Sequence, residues 1–289
     1  MLRMPITTWL GALVATAVLG AAEPARIVTS FSVVDDWTTR IIGPEIKHQT
    51  LVPAGSELHG FQLGANEAKA LARAELIIGL SPTSEPWLAD WVKAHGKEDR
   101  TLWLQTVEKD GGESDPHPWT DPSLVVGFVR KIAEEARVHL KISVSENIVS
   151  KYVAEIEALD FELKESFASV PPGKRQLITQ HPNLGRLAQR YQLKVQGTIL
   201  ESPSAEAADP SARHYSNLLG LIRREQIRVL VTDEGQNEGI ARRLCQDAGI
   251  PAPVALNFET LAPPGQPGSD WLGMMRHQSG KLREALLRP

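Results

Sequence analysis

The sequence predicts an α/β protein of two lobes, each with a four-stranded, mainly parallel sheet flanked by helices, joined by one long rigid helix. Short runs of apolar or β-branched residues alternate with longer amphipathic stretches, which is typical of βαβ units. The runs fall into two sets of four, and residues 122–170 between the sets carry no strand pattern. The chain has 289 residues, of which 42% are hydrophobic and 23% charged, and is long enough for two cores.

The strands are predicted in two groups of four. In the first lobe they are expected at residues 26–31, 49–53, 75–80 and 101–105, and in the second lobe at residues 176–180, 194–200, 228–232 and 253–258. Helical patterns at residues 184–191 and 240–248 separate strands of the second group. Because ligands bind beyond the carboxyl ends of strands in open parallel sheets, the residues that follow each run are candidates for a functional site.

A single long helix is predicted to join the lobes at residues 145–169. This stretch is rich in Glu, Lys, Ala and Leu, contains no Gly or Pro, and is stopped by Pro171, Pro172 and Gly173. At 1.5 Å per residue the helix would be about 35 Å long, roughly the width of one lobe. We therefore expect a rigid spine that prevents large lobe closure. The domain boundaries that follow are an N-terminal lobe of residues 23–144 and a C-terminal lobe of residues 170–289.

Residues 1–22 have the pattern of a secretory signal peptide. Arg3 precedes an apolar run at residues 9–19, and small residues follow at 20–22. The alternative, a membrane anchor, needs about 20 apolar residues, and this run is shorter. Since Cys245 is the single cysteine, we expect neither an internal disulfide nor a lipid-attachment site near the signal peptide. These features predict a periplasmic protein, exported with cleavage of the signal peptide and without a lipid anchor.

The charge of the chain argues against a nucleic-acid partner. Its 31 basic and 35 acidic residues give a net charge of −4, so no basic surplus is present to neutralise phosphates. We expect a monomer that binds no nucleic acid.

Four side chains that commonly bind metal ions follow predicted strands. His59 and His117 follow the second and fourth strands of the first lobe, while His181 and Glu259 follow the first and last strands of the second. Three imidazole nitrogens with one carboxylate suit a divalent transition metal, since neutral imidazole binds zinc and its neighbours and the carboxylate offsets part of the charge. No two of the four form a close local motif, so spacing alone leaves a surface or structural role open for each histidine.

Four other residues are further candidates for the surroundings of the site. Glu57, Glu201 and Glu234 are candidates for contributing near the site. Glu234 ends the third strand of the second lobe and is expected to make structural hydrogen bonds. Trp119, two residues after His117, is a candidate for the wall of the site.

Several segments of the chain carry recognisable motifs. They are Val52-Pro53-Ala54-Gly55 leading to His59, Asp115-Pro116-His117-Pro118-Trp119, His181 with Tyr191 and Leu193-Lys194-Val195, and Glu259-Thr260-Leu261 with Gly268-Ser269-Asp270-Trp271. These motifs resemble those of the metal-binding solute-binding proteins of ABC transporters, the cluster A-I family that carries zinc or manganese. The resemblance extends through nearly the whole chain after the signal peptide.

The resemblance implies that His59, His117, His181 and Glu259 bind a divalent metal between the lobes. The protein would deliver the ion to a membrane permease powered by a cytoplasmic ATPase and would catalyse nothing itself. Three nitrogens and one oxygen favour Zn²⁺ over Mn²⁺. Two departures bear on the metal: family members usually carry aspartate as the fourth ligand, and residues 108–115 lack the histidine-rich loop of many zinc-specific relatives. Because histidine must be neutral to bind a metal, affinity should fall on acidification through roughly pH 6 to 7.

Three alternative functions remain open at this point. A manganese- or iron-binding protein of the same transporter class would keep this site and change the ion. A zinc-dependent hydrolase would use three protein ligands, a metal-bound water and Glu259 as the general base. An exported interaction protein would hold the metal only for structure and would unfold on its removal, whereas two independent sheets and a spine helix predict a metal-free protein that stays folded.

Overall fold

The computed structural model describes residues 26–56, 58, 60–105, 116–201 and 210–288. The predicted signal peptide at residues 1–22, the segment 108–115, Glu57 and His59 lie outside these residues. In the described part of the chain, no helix is long and apolar enough to cross a membrane.

The first lobe is built on a parallel sheet of four strands in the order β2-β1-β3-β4. Side chains of β1 and β3 are buried at every position, as expected for inner strands of a sheet covered on both faces. The elements of this lobe are β1 (Ile27–Phe31), α1 (Ser32–Ile42), β2 (His48–Val52), α2 (Ala65–Arg73), β3 (Leu76–Gly79), α3 (Pro86–Ala94), β4 (Thr101–Trp103) and α4 (Pro122–Leu140).

The second lobe repeats this arrangement with the strand order β6-β5-β7-β8, again all parallel. Its elements are β5 (Gln176–Thr179), α6 (Gly185–Arg190), β6 (Lys194–Thr198), α7 (Ala212–Glu225), β7 (Val229–Asp233), α8 (Gly239–Ala248), β8 (Val254–Leu256) and α9 (Trp271–Leu287). The predicted fold class is confirmed, and each strand begins and ends within two residues of its predicted bounds. The largest differences arise because buried side chains such as Leu104, Leu200 and Phe258 extend the apolar runs past the last ladder hydrogen bond.

The long connecting helix, α5, spans Glu146–Ala168, within one residue of the prediction at each end. Its buried side chains recur every three or four positions and form one apolar stripe, which contacts α4, α1 and α9. Its 23 residues make it about 35 Å long. The stripe consists of Val149, Tyr152, Val153, Ile156, Leu159, Leu163 and Phe167.

The outer face of each sheet is covered by helices of its own lobe, whereas the inner faces of the two sheets contribute to one shared apolar cluster. On the outer faces, Ile77 of β3 packs with α2 and α3, while Leu230 of β7 packs with α7 and α8. The neighbouring side chains point inward, and Leu76 and Val231 belong to one apolar cluster that runs through both lobes and along α5. Moving one lobe against the other as a rigid body would expose part of this shared cluster to water, which opposes large closure.

A substitution on α5 tests whether this helix is a structural spine. Ile156→Ala removes a fully buried side chain of the shared cluster, so we expect the free energy of unfolding to fall by about 2–5 kcal/mol in a urea titration followed by circular dichroism. The matched control is Phe161→Ala on the same helix, because Phe161 is 66% exposed and its loss should change stability by no more than about 0.5 kcal/mol. Equal losses in the two variants would contradict this view of α5.

Candidate metal centre

Three of the four predicted ligands meet between the lobes. One ligand atom from each of His117, His181 and Glu259 lies within 4.8 Å of the others. Nε2 of His117 lies 3.6 Å and Nε2 of His181 lies 3.4 Å from Oε1 of Glu259. Ligand atoms bound at 2.0–2.1 Å around a tetrahedral zinc ion would lie about 3.3–3.4 Å apart, so these spacings fit such an ion. The role of His59 stays a prediction.

His117 is held by a short turn that begins with the next residue. Residues Pro118–Thr120 form a 3₁₀ turn, and the carbonyl of His117 accepts hydrogen bonds from the Thr120 amide and hydroxyl at 3.2 and 2.9 Å. The ring of Trp119 meets the His117 imidazole edge-on, with centroids 5.1 Å apart. Both rings are almost fully buried. Trp119 therefore supports the imidazole from within the core, close to the wall position that the sequence suggested.

His181 is oriented by a carboxylate at the end of the neighbouring strand. His181 follows β5, and Asp233 is the last residue of β7, which pairs with β5. His181 Nδ1 donates to Asp233 Oδ2 over 2.6 Å, because an ionised carboxylate can only accept. The side-chain amide of Asn183 donates to Asp233 Oδ1 at 2.8 Å and to Glu259 Oε1 at 3.3 Å. These contacts fix the imidazole with Nε2 toward Glu259 and strengthen it as a ligand.

The sequence singled out Glu234 as a candidate, whereas the residue that orients His181 is its neighbour Asp233. Glu234 was predicted to end its strand, but the strand ends at Asp233, and Glu234 is exposed at the rim of the cleft. Glu201, another candidate, accepts hydrogen bonds from the amide and hydroxyl of Ser211 at 2.9 and 3.1 Å and does not line the cleft. The signal for Asp233 is its position at the carboxyl end of a strand, but only the pairing of β5 with β7 shows which histidine it contacts.

Glu259 lies in the segment that follows β8. The Asn257 side chain accepts hydrogen bonds from the backbone amides of Glu259 and Thr260 at 3.0 and 3.2 Å, which turns the chain sharply after the strand. The Glu259 side chain is 14% exposed. Together with His181 it lines a cleft of about 270 Å³ between the lobes, whereas His117 is 2% exposed and lies outside the lining. The cleft gives an ion access to the carboxylate and one imidazole.

The environment of His181 favours its protonated form when no metal is bound. Burial by itself would lower its pKa, but the hydrogen bonds and negative charges of Asp233 and Glu259 outweigh burial and raise the pKa to about 10. The imidazolium can then donate to Asp233 from Nδ1 and face Glu259 with Nε2. A metal ion must displace the Nε2 proton, so proton competition extends above the pH 6 to 7 range expected for an ordinary histidine.

Comparison with known proteins finds relatives that are named as metal-transport proteins. A metal ABC transporter substrate-binding lipoprotein, SsaB from Streptococcus sanguinis, is 23% identical over 281 residues, covering 91% of this chain and 89% of the relative. A manganese ABC transporter substrate-binding lipoprotein, PsaA from Streptococcus pneumoniae, is 22% identical over 287 residues, covering 94% and 92%.

The fold is also that of a solved protein. The manganese-bound periplasmic metal-binding protein from Candidatus Liberibacter asiaticus superimposes with a TM-score of 0.72 at 19% identity, over 90% of this chain and 99% of the other. A family model described as zinc-uptake complex component A, periplasmic, matches residues 27–285. Because that match spans both lobes and the connecting helix, the chain belongs to the zinc-uptake complex component A family.

Proposed function

We propose that this protein binds a divalent metal ion, zinc in preference to manganese, and delivers it to the permease of an ABC transporter powered by a cytoplasmic ATPase. The observation that carries the proposal is the approach of two buried imidazole Nε2 atoms, from His117 and His181, to one carboxylate oxygen of Glu259. His59, placed by its motif, would complete a closed set of four protein ligands. Such a set holds an ion without leaving a coordination position for a reacting water.

The family argues against the hydrolase alternative. Its members are substrate-binding proteins of metal ABC transporters, not enzymes. In this chain the backbone amide of Glu259 is held by Asn257, and its carboxylate lies 3.3 Å from the Asn183 amide and close to both imidazoles. This placement suits a ligand better than a general base, which would need a free approach to a water molecule.

The preference for zinc rests on donor chemistry. Imidazole nitrogen suits zinc, whereas manganese favours a shell richer in oxygen. The family description names zinc, while the curated relative PsaA and the Liberibacter structure are named for manganese. We favour zinc because two of the three grouped ligands in the described residues are histidines, which contribute nitrogen, and Glu259 is the single carboxylate among them.

The location and assembly are also part of the proposal. We propose a monomer exported to the periplasm with its signal peptide removed. The prediction of no lipid anchor contrasts with the word lipoprotein in the names of the curated relatives. Intact-mass measurement of the protein purified from its native envelope would show either a chain that begins near residue 23 or one that carries an added acyl mass.

Metal titrations test the site and the choice of ion. Metal-stripped protein should bind one zinc ion more tightly than one manganese ion in competition with a chelator. His59→Ala and His181→Ala should each weaken zinc binding at least 100-fold, or about 2.7 kcal/mol, because each removes a ligand. The matched control is His139→Ala on α4, where the histidine pairs with Glu135 outside the site, and it should bind like wild type. Tighter manganese binding would reverse the ion preference, and normal zinc binding by His181→Ala would contradict the site.

Zinc binding should release a proton near neutral pH. Because the pKa of His181 in the metal-free protein is raised to about 10, the proton is present at pH 7.5 and must leave when zinc binds. The zinc association constant should therefore rise by up to about tenfold per pH unit between pH 7 and 9. Calorimetry in two buffers of different ionisation enthalpy measures the protons released per zinc ion. Release of no proton at pH 7.5 would mean that His181 is already neutral.

Asp233→Asn tests how His181 is supported. The asparagine keeps the shape of the side chain but removes the negative charge behind Nδ1, so the pKa of His181 should fall and fewer protons should leave on zinc binding at pH 7.5. At pH 9, where proton competition weakens, the loss of a basic and oriented ligand should appear as about 10- to 100-fold weaker zinc binding. Asp247→Asn on α8, where the carboxylate accepts a hydrogen bond from Tyr215, is the control and should behave like wild type.

A further inference from the structure

The segment that carries Glu259, residues 258–261, belongs to the second lobe by sequence but is hydrogen-bonded to the first. Strand β8 ends at Leu256, and the chain then crosses toward the first lobe. Four hydrogen bonds join the segment to that lobe, with distances between 2.5 and 3.0 Å. They run from Trp119 Nε1 to the Phe258 carbonyl, from Thr260 Oγ1 to the Ser56 carbonyl, from the Gly55 amide to the Leu261 carbonyl, and from the Leu261 amide to Ser32 Oγ.

These hydrogen bonds are shielded from water. Phe258, Thr260 and Leu261 are each less than 5% exposed, and Trp119 is 1% exposed. A buried polar group that loses its partner is costly, so the connection resists opening. Gly55 allows the close approach because its φ of +76° suits glycine, and a Cβ there would lie 3.2 Å from the Pro263 ring.

Trp119 connects two ligands with one side chain. It lies two residues after His117 and packs edge-on against that imidazole. Its indole N–H donates to the carbonyl directly before Glu259, at 2.5 Å. Its own carbonyl accepts a hydrogen bond from the indole of Trp271 at 3.1 Å, which ties the start of α9 to the same point. The second lobe contacts the Glu259 carboxylate through the Asn183 amide at 3.3 Å and His181 Nε2 at 3.4 Å, and the Asn257 side chain accepts a hydrogen bond from the Glu259 amide at 3.0 Å.

We propose that Trp119 is a positioning residue for Glu259, and that it holds His117 and Glu259 as a preset pair on the first lobe. His181 is then the ligand that the second lobe adds to close the site. This inference rests on the proposed function, because it assigns the origin of two of the metal ligands. It places the step of metal release at the contact between His181 and the pair, while the pair itself stays assembled.

The test compares two buried tryptophans. Trp119→Phe keeps an aromatic ring and removes the N–H that binds the Phe258 carbonyl, so zinc binding should weaken about tenfold or more. The control is Trp37→Phe, because Trp37 is also fully buried in the shared cluster and its Nε1 has no hydrogen-bond partner among the described residues. This control should lower the melting temperature without changing zinc affinity. Equal affinity losses in the two variants would overturn the proposal.

A double variant shows whether Trp119 acts through Glu259. Glu259→Ala removes the positioned ligand, so Trp119→Phe should weaken zinc binding little further in that background, although it weakens wild type about tenfold. Fully multiplicative losses would mean that Trp119 acts by another route, and would overturn the assignment. Thr260→Val, which removes the hydrogen bond to Ser56 while keeping the shape, is a second variant if Trp119→Phe does not fold. It should also weaken zinc binding, and wild-type affinity in Thr260→Val would count against the proposal.

Amide hydrogen exchange on the metal-free protein separates this inference from the proposed function. The amides of Gly55 and Leu261 donate across the connection, so Trp119→Phe should speed their exchange about tenfold, while Trp37→Phe should not. If wild type bound neither zinc nor manganese, the proposed function would fail, and the exchange rates would still report on the connection. Unchanged exchange in Trp119→Phe would overturn the inference even if zinc binding were normal.

Discussion

The metal centre depends on the apolar cluster that the inner faces of the two sheets share. Trp119 and Trp271 are fully buried in it, and the indole of Trp271 donates a hydrogen bond to the Trp119 carbonyl at 3.1 Å. Because protein interiors are close-packed, the cluster as a whole limits how far the two sheets can move relative to each other. Imidazole and carboxylate atoms from different lobes can therefore lie 3.4 to 3.6 Å apart.

A preassembled site must also hold its charges without the metal. Two imidazoles, Glu259 and Asp233 gather in a small volume. Burial lowers the pKa of His181, but the hydrogen bonds and negative charges of Asp233 and Glu259 outweigh it and raise the pKa to about 10, which favours a proton on His181 when no metal is bound. A divalent cation that binds here would displace this proton. The positive charge at the site would then rise from one to two, beside carboxylates that already compensate it. The side-chain amide of Asn183 donates a hydrogen bond to each of the two carboxylates.

The shared cluster limits how an ion can leave. A wide opening of the lobes would expose the tryptophans and the inner stripe of α5 to water. Residues 258–261 are held to the first lobe by four short hydrogen bonds, whereas the Glu259 carboxylate meets the second lobe through longer contacts, with the Asn183 amide at 3.3 Å and His181 Nε2 at 3.4 Å. In the arrangement proposed above, a displacement that separates His181 from Glu259 leaves the buried connection at Trp119 intact.

The sequence by itself determined the alternation of strands and helices, the length of α5, and which ligand types follow which strands. These features are local, because they follow from side-chain periodicity and from Gly and Pro at the ends of elements. Only the tertiary structure decided that Asp233 and not Glu234 supports His181, since the pairing of β5 with β7 brings together residues 52 positions apart. It also decided that the Trp119 indole donates to the carbonyl of Phe258, which lies 139 positions further along the chain and directly before Glu259. No local pattern encodes such contacts, because they arise from how the two sheets pack on one core.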